Sequence, residues 1–397
     1  MSKAIYWAAA AGAVAGFSAI ALKFLSIPFL WIGLTWAIAG FAVAALAPQL
    51  VKLSITLAAA LPLAIGLGEL TVWITSPPEV IYYDDPSPNE EDAVLGWRLK
   101  PSQVSHATAD VSGIRIYDVS YSTDATGHRI SPPDRGLQIQ GCMLFLSDSF
   151  TFGKGVGDHD AFPYQVGLKT HGRLRIVNLA VPAYGAEQML ASIERGKLAT
   201  DPPCEPTHII YAALPHHILR AAGKTDFSRR GPRYRLRADG VPEYLGTNLS
   251  EAGTMSESWI WLHGRLVEQL NKSQIYRMLG KRPPPTTEAD IDLYFGIVRQ
   301  AVRLFEQRWP NAEFHLISWD VQDFYSNGQT RFHEGLQGIG PKVHFIDDIL
   351  PGYTKEPTKY GLHQFDLHPN SLAHEILAAY LAERVVSRAT TKLGSDP

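Results

Sequence analysis

From residue 141 onward, short apolar runs alternate with stretches of helical periodicity, and this alternation constrains the fold more than any other feature of the sequence. The pattern is typical of an α/β domain, in which helices connect the strands of a parallel sheet. We therefore predict a parallel five-stranded sheet, with strands at about 142–147, 174–180, 207–214, 314–319 and 343–346. The main helices are predicted at about 161–171, 186–198, 288–308 and 371–389.

Two further regions lie before and within this α/β domain, which spans 141–397. Residues 93–140 contain turn signals and alternating polar and apolar residues, which predict a small β-rich annex. Residues 222–284 interrupt the alternation with a predicted β-hairpin and, at 256–279, an amphipathic helix. The arginines of the hairpin form either a solvated face or an anion-binding patch, and a solvated face is the more frequent arrangement.

The N-terminal segment is strongly apolar. Between residues 5 and 75 the only charged side chains are those of Lys23, Lys52 and Glu69. The segment is too long for the apolar part of a signal peptide, and it is long enough for three membrane spans of about 20 residues each. We predict three transmembrane helices at 4–22, 24–47 and 53–76. Two spans with one re-entrant segment are the alternative.

The charges that flank these spans predict their orientation. Lys3 and Lys52 would lie on one side of the membrane, and Lys23 with the acidic stretch 84–92 on the other. The positive-inside rule then places the N-terminus in the cytoplasm and the rest of the chain on the periplasmic side of an inner membrane. Residues 77–92, which are rich in Pro, Asp and Glu, are predicted to form a solvated linker.

The overall charge argues against a nucleic-acid partner. The chain has 36 lysines and arginines against 39 aspartates and glutamates, which gives a formal net charge of −3. Proteins that bind nucleic acid present a basic stripe or patch, and no run of Lys and Arg is present here. We therefore expect no nucleic-acid binding.

The two cysteines open and precede predicted strands. Cys142 begins the first strand of the α/β domain, and Cys204 lies just before the third. If these strands are neighbours, both thiols lie at the same edge of the sheet and a disulfide is geometrically possible. An exported location would let that bond persist. Two unpaired buried thiols are the alternative.

Polar residues follow the strands of the predicted sheet at the points where each strand ends. Open parallel sheets bind ligands at the carboxyl ends of their strands, so these residues are expected to share one edge. They are Ser149 after the first strand, Gly185 after the second, and His216 with His217 after the third. Near the C-terminus, Asp366 and His368 precede the last helix.

Three of these side chains supply what nucleophilic acyl transfer requires. A serine hydroxyl is a weak nucleophile until an imidazole accepts its proton, so Ser149 is the candidate nucleophile and His368 the candidate base. The imidazole needs an acceptor on its other nitrogen, and Asp366 is the candidate for this role. A metal site built from the histidines and Asp366 is an alternative, but the spacing is not one used by zinc.

The oxyanion that develops during acyl transfer needs preorganised hydrogen-bond donors. The candidates are the amides of Ser149 and Gly185 and one side chain of the pair His216 and His217. Each residue also has a more ordinary interpretation. Gly185 alone is typical of a turn, and a histidine pair at a strand end is more often a hydrogen-bonded structural feature.

Three stretches resemble the conserved blocks of the SGNH/GDSL hydrolases. Residues 147–153, Ser-Asp-Ser-Phe-Thr-Phe-Gly, are similar to the first block, residues 177–185 to the second, and residues 366–370, Asp-Leu-His-Pro-Asn, to the last. The resemblance covers 141–221 and 313–390. It implies a flavodoxin-like sheet with neighbouring first and third strands. It also implies esterase, deacetylase or O-acyltransferase chemistry on acylated lipids, sugars or peptidoglycan, with neither a metal nor an organic cofactor.

The sequence departs from this family pattern at two positions. Ser147 stands where the first block usually has glycine. The third block usually ends Gly-x-Asn-Asp, and here Leu-Pro-His-His ends at His217. The asparagine that normally donates to the oxyanion is therefore absent. His216 or His217 is the candidate replacement, and Arg220 lies about one helical turn away.

Two functions are consistent with these features. The first is a membrane-anchored serine esterase or O-acyltransferase that acts outside the cytoplasm on acylated envelope or exported polysaccharide. The second is a catalytically degenerate SGNH-like binding or structural subunit of a membrane assembly, whose spans would bind a membrane protein partner. The position of His368 relative to Ser149 discriminates between them, because a working base must lie within or close to hydrogen-bond reach of the nucleophile.

Overall fold

The structure is a computed structural model, and the chain divides into two compact units. One unit comprises Met1–Pro77 and Ala252–Pro284, and the other comprises Pro78–Glu251 and Pro285–Pro397. The residues that the structure describes are 36–38, 49–76, 79–133, 139–198, 205–225, 227–248, 273, 275–276, 278, 286–319, 329–340 and 342–386.

The first unit contains a long helix, α1 (Gln49–Thr75), which covers the third predicted membrane span. Inside this unit the Glu69 carboxylate is buried and accepts a hydrogen bond from the hydroxyl of Ser273. Among the described residues, no helix combines the length and the apolar character needed to cross a membrane. The other two predicted spans lie outside the described residues except for 36–38, and the described residues support none of the three predicted spans.

The second unit contains all the other elements. Its strands are β1 Val80–Asp85, β2 Asn89–Asp92, β3 Gly96–Leu99, β4 Val104–Val111, β5 Ile114–Ser122, β6 Gly141–Leu146, β7 Leu174–Asn178, β8 Pro206–Ala213, β9 Pro232–Leu236, β10 Pro242–Thr247, β11 Glu313–Ser318, β12 Lys342–Phe345, β13 Gly361–His363 and β14 Asp366–Pro369. Its helices are α2 Ser149–Phe152, α3 Phe162–Lys169, α4 Ala186–Glu194, α5 His217–Ala221, α6 Glu288–Arg308, α7 Gln329–Gln337, α8 Ile346–Ile349, α9 Pro357–Tyr360 and α10 Ser371–Tyr380.

The annex begins earlier than its predicted boundary at residue 93. Strands β1, β4 and β5 form one antiparallel sheet, and β2 pairs with β3. Both β1 and β2 lie in 77–92, where a solvated linker was predicted. The reason is local, because Val80, Ile81, Tyr82 and Tyr83 are β-branched or aromatic residues that favour a strand in spite of the acidic residues that follow.

The central sheet has the predicted parallel, five-stranded architecture. Its order is β12-β11-β8-β6-β7, so the first and third strands of the α/β domain are neighbours, as in flavodoxin-like sheets. Cys142 at the start of β6 pairs in register with Pro206 of β8, and Cys142 is disulfide-bonded. Cys204, the other cysteine of the sequence, lies outside the described residues.

Both faces of the central sheet are buried by helices. Along β6, Leu144 and Leu146 belong to the core that includes α4 and α6, whereas Met143 and Phe145 face the core that includes α3 and α10. Each fully buried side chain of this size contributes about 1.5–3 kcal/mol to folding. The continuous apolar run of β6 therefore fixes the strand in the middle of the domain, with its carboxyl end at the start of α2.

The insertion and the C-terminal region differ from prediction in detail. Strands β9 and β10 form the predicted antiparallel hairpin, whereas the predicted helix at 256–279 lies outside the described residues except for four positions. The last helix ends at Tyr380 and continues as a π-helical turn, Leu381–Val386. Asp366 and His368, which precede the last helix, lie in β14.

Candidate active site

The turn that follows β6 places Ser149 at the start of a helix. Asp148 is the N-cap residue of α2, and its side-chain Oδ1 accepts the amide of Phe150 at 3.0 Å. Ser147 has a φ of 146°, a backbone conformation that favours glycine. The Ser147 hydroxyl donates to the carbonyl of Ala212 at 2.7 Å, which ties the turn to β8. Serine thus occupies the family's glycine position with a strained backbone and a compensating hydrogen bond.

Ser149, His368 and Asp366 form a continuous hydrogen-bonded chain. The Ser149 Oγ lies 2.9 Å from His368 Nε2, and His368 Nδ1 lies 2.5 Å from Asp366 Oδ1. The imidazole has a carboxylate acceptor at Nδ1, so we assign the proton to Nδ1 and the lone pair to Nε2. That tautomer can accept the serine proton. The structure therefore brings the three predicted residues into the arrangement that nucleophilic catalysis requires.

The carboxylate of Asp366 is held ionised. Asp366 is 3 % exposed, and burial by itself would raise the pKa of its carboxyl group. The hydrogen bonds and charge of His368 outweigh burial and keep the pKa of Asp366 below its ordinary value. The Asp366 Oδ1 also accepts the backbone amide of His368 at 3.1 Å. A charged acceptor next to the imidazole favours the imidazolium that forms when the serine loses its proton.

The β13–β14 hairpin is fixed by Asn370, the N-cap of α10. Its side-chain amide donates to the carbonyls of Lys359 and Gly361, both at 3.0 Å, and its Oδ1 accepts the amide of Ala373 at 3.1 Å. One side chain thus joins the helix start to the loop that carries Asp366 and His368. This explains in physical terms why an asparagine follows His-Pro in the sequence.

A second polar cluster surrounds Asp148. Its Oδ2 accepts three hydrogen bonds, from Nε2 of His216 and of His217 at 3.1 Å each and from the guanidinium of Arg220 at 2.9 Å. The hydroxyl of Tyr211 lies 2.9 Å from Nδ1 of His217 and completes the set. Asp148 is fully buried, so the cluster neutralises a charge that would otherwise be costly.

The pKa values of the Asp148 cluster follow from this geometry. Burial alone would raise the pKa of the Asp148 carboxyl, but the hydrogen bonds from His216 and His217 and the charge of Arg220 hold it well below its ordinary value. Burial and the nearby Arg220 lower the pKa of His216 to about 3, and burial lowers that of His217. Both imidazoles are therefore neutral at neutral pH and donate to a carboxylate.

Three of the four predicted oxyanion donors have other hydrogen-bond partners. The amide of Gly185 donates to Oε1 of Gln188 at 2.8 Å in a capping arrangement at the start of α4. His217 is 0 % exposed and is bonded at both ring nitrogens, and His216 donates from Nε2 to Asp148. The amide of Ser149 lies at the N-terminus of α2, where helix amides are open to an anion.

Among the described residues, the Asp148 cluster is also the group whose side chains could hold a metal ion. The ligand atoms of Asp148, His216 and His217 lie within 4.8 Å of one another. The guanidinium of Arg220, however, is hydrogen-bonded to the same carboxylate oxygen and would repel a cation there. His368 and Asp366, which we considered as ligands together with the two histidines, bond to each other and to Ser149 instead.

Arg129 supports the nucleophile turn and was not identified from the sequence. It is 1 % exposed, and its guanidinium donates to the carbonyls of Gly153 at 2.7 Å and Val156 at 2.8 Å, and to that of Phe152. Its Nε pairs with Asp158 at 3.2 Å. An isolated arginine at the end of an annex gives no motif by which this role could have been found.

Glu187, in the first turn of α4, is a buried acid without a hydrogen-bond partner on another described residue. It is 1 % exposed, and neither carboxyl oxygen forms a hydrogen bond with another described side chain or backbone group. Burial raises the pKa of Glu187 to about 7, although the nearby Arg220 acts in the opposite direction. Its position two residues after Gly185 gave no indication of burial, because glutamate is usually exposed in the first turn of a helix.

A cavity of about 420 Å³ lies next to the site. Annex residues Leu95 and Leu99 line one side, and Ser147, Val181 and Gly185 line the side formed by the strand ends. Ser149 and His368 are not part of its lining, so the cavity lies beside the catalytic chain rather than around it.

Comparison with known proteins finds similarity in structure alone. The sequence matches no protein-family model and no curated protein. Similar solved structures include a family 2 carbohydrate esterase with a carbohydrate-binding domain from Corynascus thermopiles (Myceliophthora fergusii), with a TM-score of 0.36 and 11 % identity over 79 % of this chain and 87 % of that one. An acetyl xylan esterase from Butyrivibrio proteoclasticus has a TM-score of 0.35 and 10 % identity over 79 % and 88 %.

A protein ascribed to the lipolytic G-D-S-L family, from Desulfitobacterium hafniense DCB-2, has a TM-score of 0.31 and 10 % identity over 62 % of this chain and 99 % of that one. At these levels the similarities do not decide the activity of the chain. Its fold rests on its own geometry. The order of the five parallel strands and the joined Ser149, His368 and Asp366 side chains agree with what the resemblance of the sequence blocks to SGNH/GDSL hydrolases implies.

Proposed function

We propose that the protein is a serine esterase or O-acyltransferase of the SGNH type. The observation that carries this proposal is the separation of 2.9 Å between Ser149 Oγ and His368 Nε2, with Asp366 bonded to the other ring nitrogen at 2.5 Å. A non-catalytic protein has no need to keep this alignment of nucleophile, base and carboxylate. The roles are those predicted from sequence: Ser149 attacks, His368 moves the proton, and Asp366 orients the imidazole.

The first half of the reaction forms an acyl-enzyme. His368 Nε2 accepts the hydroxyl proton of Ser149 while Oγ bonds to the carbonyl carbon of an acyl ester. The tetrahedral oxyanion receives a hydrogen bond from the Ser149 amide at the start of α2. Collapse of this intermediate breaks the bond to the alcohol oxygen, which leaves with the proton from His368.

The second half transfers the acyl group. A water molecule, or a sugar hydroxyl in a transferase, gives its proton to His368 Nε2 and attacks the acyl carbon. The bond to Ser149 Oγ then breaks, and the serine recovers its proton. A further donor for the oxyanion becomes available if the Gly185 amide leaves Gln188 Oε1 when substrate binds, which requires a side-chain rotation of the buried Gln188.

The substrate class and location belong to the same proposal. The apolar sequence of residues 4–76 favours a multi-pass anchor in the inner membrane, and its flanking charges favour a periplasmic position for the rest of the chain. Acylated envelope or exported polysaccharide is the substrate that such an enzyme would meet. A C-terminal alkaline phosphatase fusion tests the location, because it is active only outside the cytoplasm. An inactive alkaline phosphatase fusion with an active cytoplasmic reporter at the same position would contradict it.

The second candidate is a catalytically degenerate subunit that binds acylated polysaccharide in a membrane assembly. Two observations favour it: the third-block asparagine is replaced, and the Gly185 amide and His217 already have other partners. These contacts leave the Ser149 amide as the predicted oxyanion donor that is not engaged elsewhere among the described residues. Since loss of one donor typically costs about 10²–10³ in rate, the proposed enzyme would be slow rather than inactive.

Turnover of an acetyl ester by the full chain tests the proposal. Ser149→Ala should abolish hydrolysis of p-nitrophenyl acetate. The matched control is Thr151→Ala in the same short helix, since the Thr151 hydroxyl is buried without a hydrogen-bond partner among the described residues. Equal turnover by the parent and Ser149→Ala, with the fold intact, would favour the binding subunit.

A further inference from the structure

The annex supplies a side chain to the candidate active site. The hydroxyl of Tyr82, in β1, donates to Asp366 Oδ2 at 3.1 Å. The other oxygen, Oδ1, accepts both Nδ1 and the backbone amide of His368. Each oxygen of the carboxylate therefore has its own partner, and the plane of the group is fixed at both ends. Because Asp366 is 3 % exposed, solvent has little access to replace the tyrosine.

The ring of Tyr82 is positioned independently of its hydroxyl. The ammonium of Lys154 lies 3.4 Å from the ring centroid, a cation–π contact, and the ring meets that of His368 edge-on with centroids 6.4 Å apart. Burial, followed by the negative charge of Asp366, raises the pKa of Tyr82 above its ordinary value, so the hydroxyl stays protonated and remains a donor. Removal of the oxygen alone should leave these ring contacts in place.

The direction of Tyr82 follows from strand alternation. On β1, Ile81 is 69 % and Tyr83 60 % exposed, so these neighbours point away from the domain. Tyr82, which is 40 % exposed, points to the opposite face, where its hydroxyl reaches Asp366, and its position is fixed by antiparallel pairing with Ala109 of β4. The annex thus reaches the candidate active site through the side chain of Tyr82.

We propose that Tyr82 is a positioning residue of the catalytic chain, which holds Asp366 through Oδ2 so that Oδ1 stays directed at His368. This inference rests on the proposed function, because it assigns Tyr82 a role in the same site. Without the hydroxyl, Oδ2 loses its donor in a buried position and the carboxylate is free to rotate. The negative charge of Asp366 is then less stabilised, and the orientation of the imidazole is less restricted.

Kinetics of Tyr82→Phe in the full chain test the assignment. We expect kcat for p-nitrophenyl acetate to fall about tenfold while KM stays within about twofold, since the ground-state contacts are unchanged. The acid limb of the kcat/KM profile should move to higher pH by about 0.5–1 unit, because a carboxylate that has lost a hydrogen-bond donor holds the proton of the Ser149–His368–Asp366 chain more tightly. Tyr83→Phe, on the opposite face of β1, is the matched control and should change neither quantity.

A spectroscopic measurement separates this inference from the proposed function. The proton between His368 Nδ1 and Asp366 should give a downfield proton resonance that His368→Gln removes. In Tyr82→Phe we expect this resonance to shift and broaden through faster exchange, whereas Tyr83→Phe should match the parent. If Ser149→Ala keeps full turnover, the proposed function fails, and the resonance still reports on Tyr82. An unchanged resonance in Tyr82→Phe, or an unchanged pH profile in an enzyme that depends on Ser149, would overturn the assignment.

Discussion

Substitution of Glu187 by glutamine should make the protein more stable at neutral pH, by an amount that depends on pH. The carboxyl group is buried without a partner on another described residue, and its pKa is raised from 4.5 to about 7. At a pH below the ordinary pKa of 4.5, the carboxyl group is protonated in both the folded and the unfolded state, so it does not change the stability. Above it the unfolded chain ionises while the folded protein must keep the proton, and stability falls until the pH passes about 7.

The size of the effect follows from the same shift. Because one pKa unit corresponds to about 1.36 kcal/mol, the raised value represents about 3 kcal/mol of lost stability at pH 8. Glutamine resembles the protonated glutamate in shape and does not titrate. The stability of Glu187→Gln relative to the parent should therefore rise by about 3 kcal/mol between pH 4.5 and pH 8.

Equilibrium denaturation followed by tryptophan fluorescence, from pH 4.5 to pH 8, measures this difference. Glu375→Gln, at an exposed position of α10, is the control for the removal of one acidic side chain. A stability difference between Glu187→Gln and the parent that does not vary with pH would refute the reasoning. It would mean that the folded protein stabilises the ionised carboxylate as well as water does.

Two further predictions concern the turn that carries the nucleophile. Ser147→Gly should be more stable than Ser147→Ala by about 1–2 kcal/mol in denaturation, because both lose the bond to Ala212 but only glycine relieves the strained backbone. A less stable glycine variant would show that the backbone is not strained. Arg129→Met should lower stability by about 3–5 kcal/mol and reduce turnover, since the carbonyls of Gly153 and Val156 and an acidic partner lose their donor. The stability and turnover of Arg129→Lys should lie between those of the parent and those of Arg129→Met. An Arg129→Met variant as stable as the parent would contradict the supporting role of Arg129.

The sequence was sufficient to predict those strands and site residues whose positions depend on neighbouring residues in the chain. The apolar run of β6 predicts a buried strand. The serine after this strand and the Asp-x-His before α10 could be placed from the neighbouring residues alone. The partner of the Gly185 amide was also readable in principle. Gln188 stands at the third position of α4, where a glutamine side chain commonly accepts from the N-cap amide, so this contact follows a local sequence pattern.

Contacts between distant segments were not predictable from the sequence. Tyr82 and Asp366 are separated by 284 positions, and an aromatic residue in an edge strand gives no indication of which carboxylate it will meet. The histidines after β8 were correctly placed at the edge of the sheet, but their direction depends on the fully buried Asp148. Since a side chain at a strand end can turn toward the core or toward substrate, only the packed structure assigns His217 to the core.

Labelling with a fluorophosphonate probe tests the central claim most directly, because the probe bonds covalently only to an activated serine. Mass spectrometry of the intact full chain should show one phosphonyl adduct, with peptide mapping to Ser149 and no adduct in Ser149→Ala. His368→Gln should slow the labelling about 10²–10⁴-fold, since it removes the base that activates the hydroxyl. The absence of an adduct on Ser149 in the folded parent protein, or equal labelling rates for the parent and His368→Gln, would contradict the account.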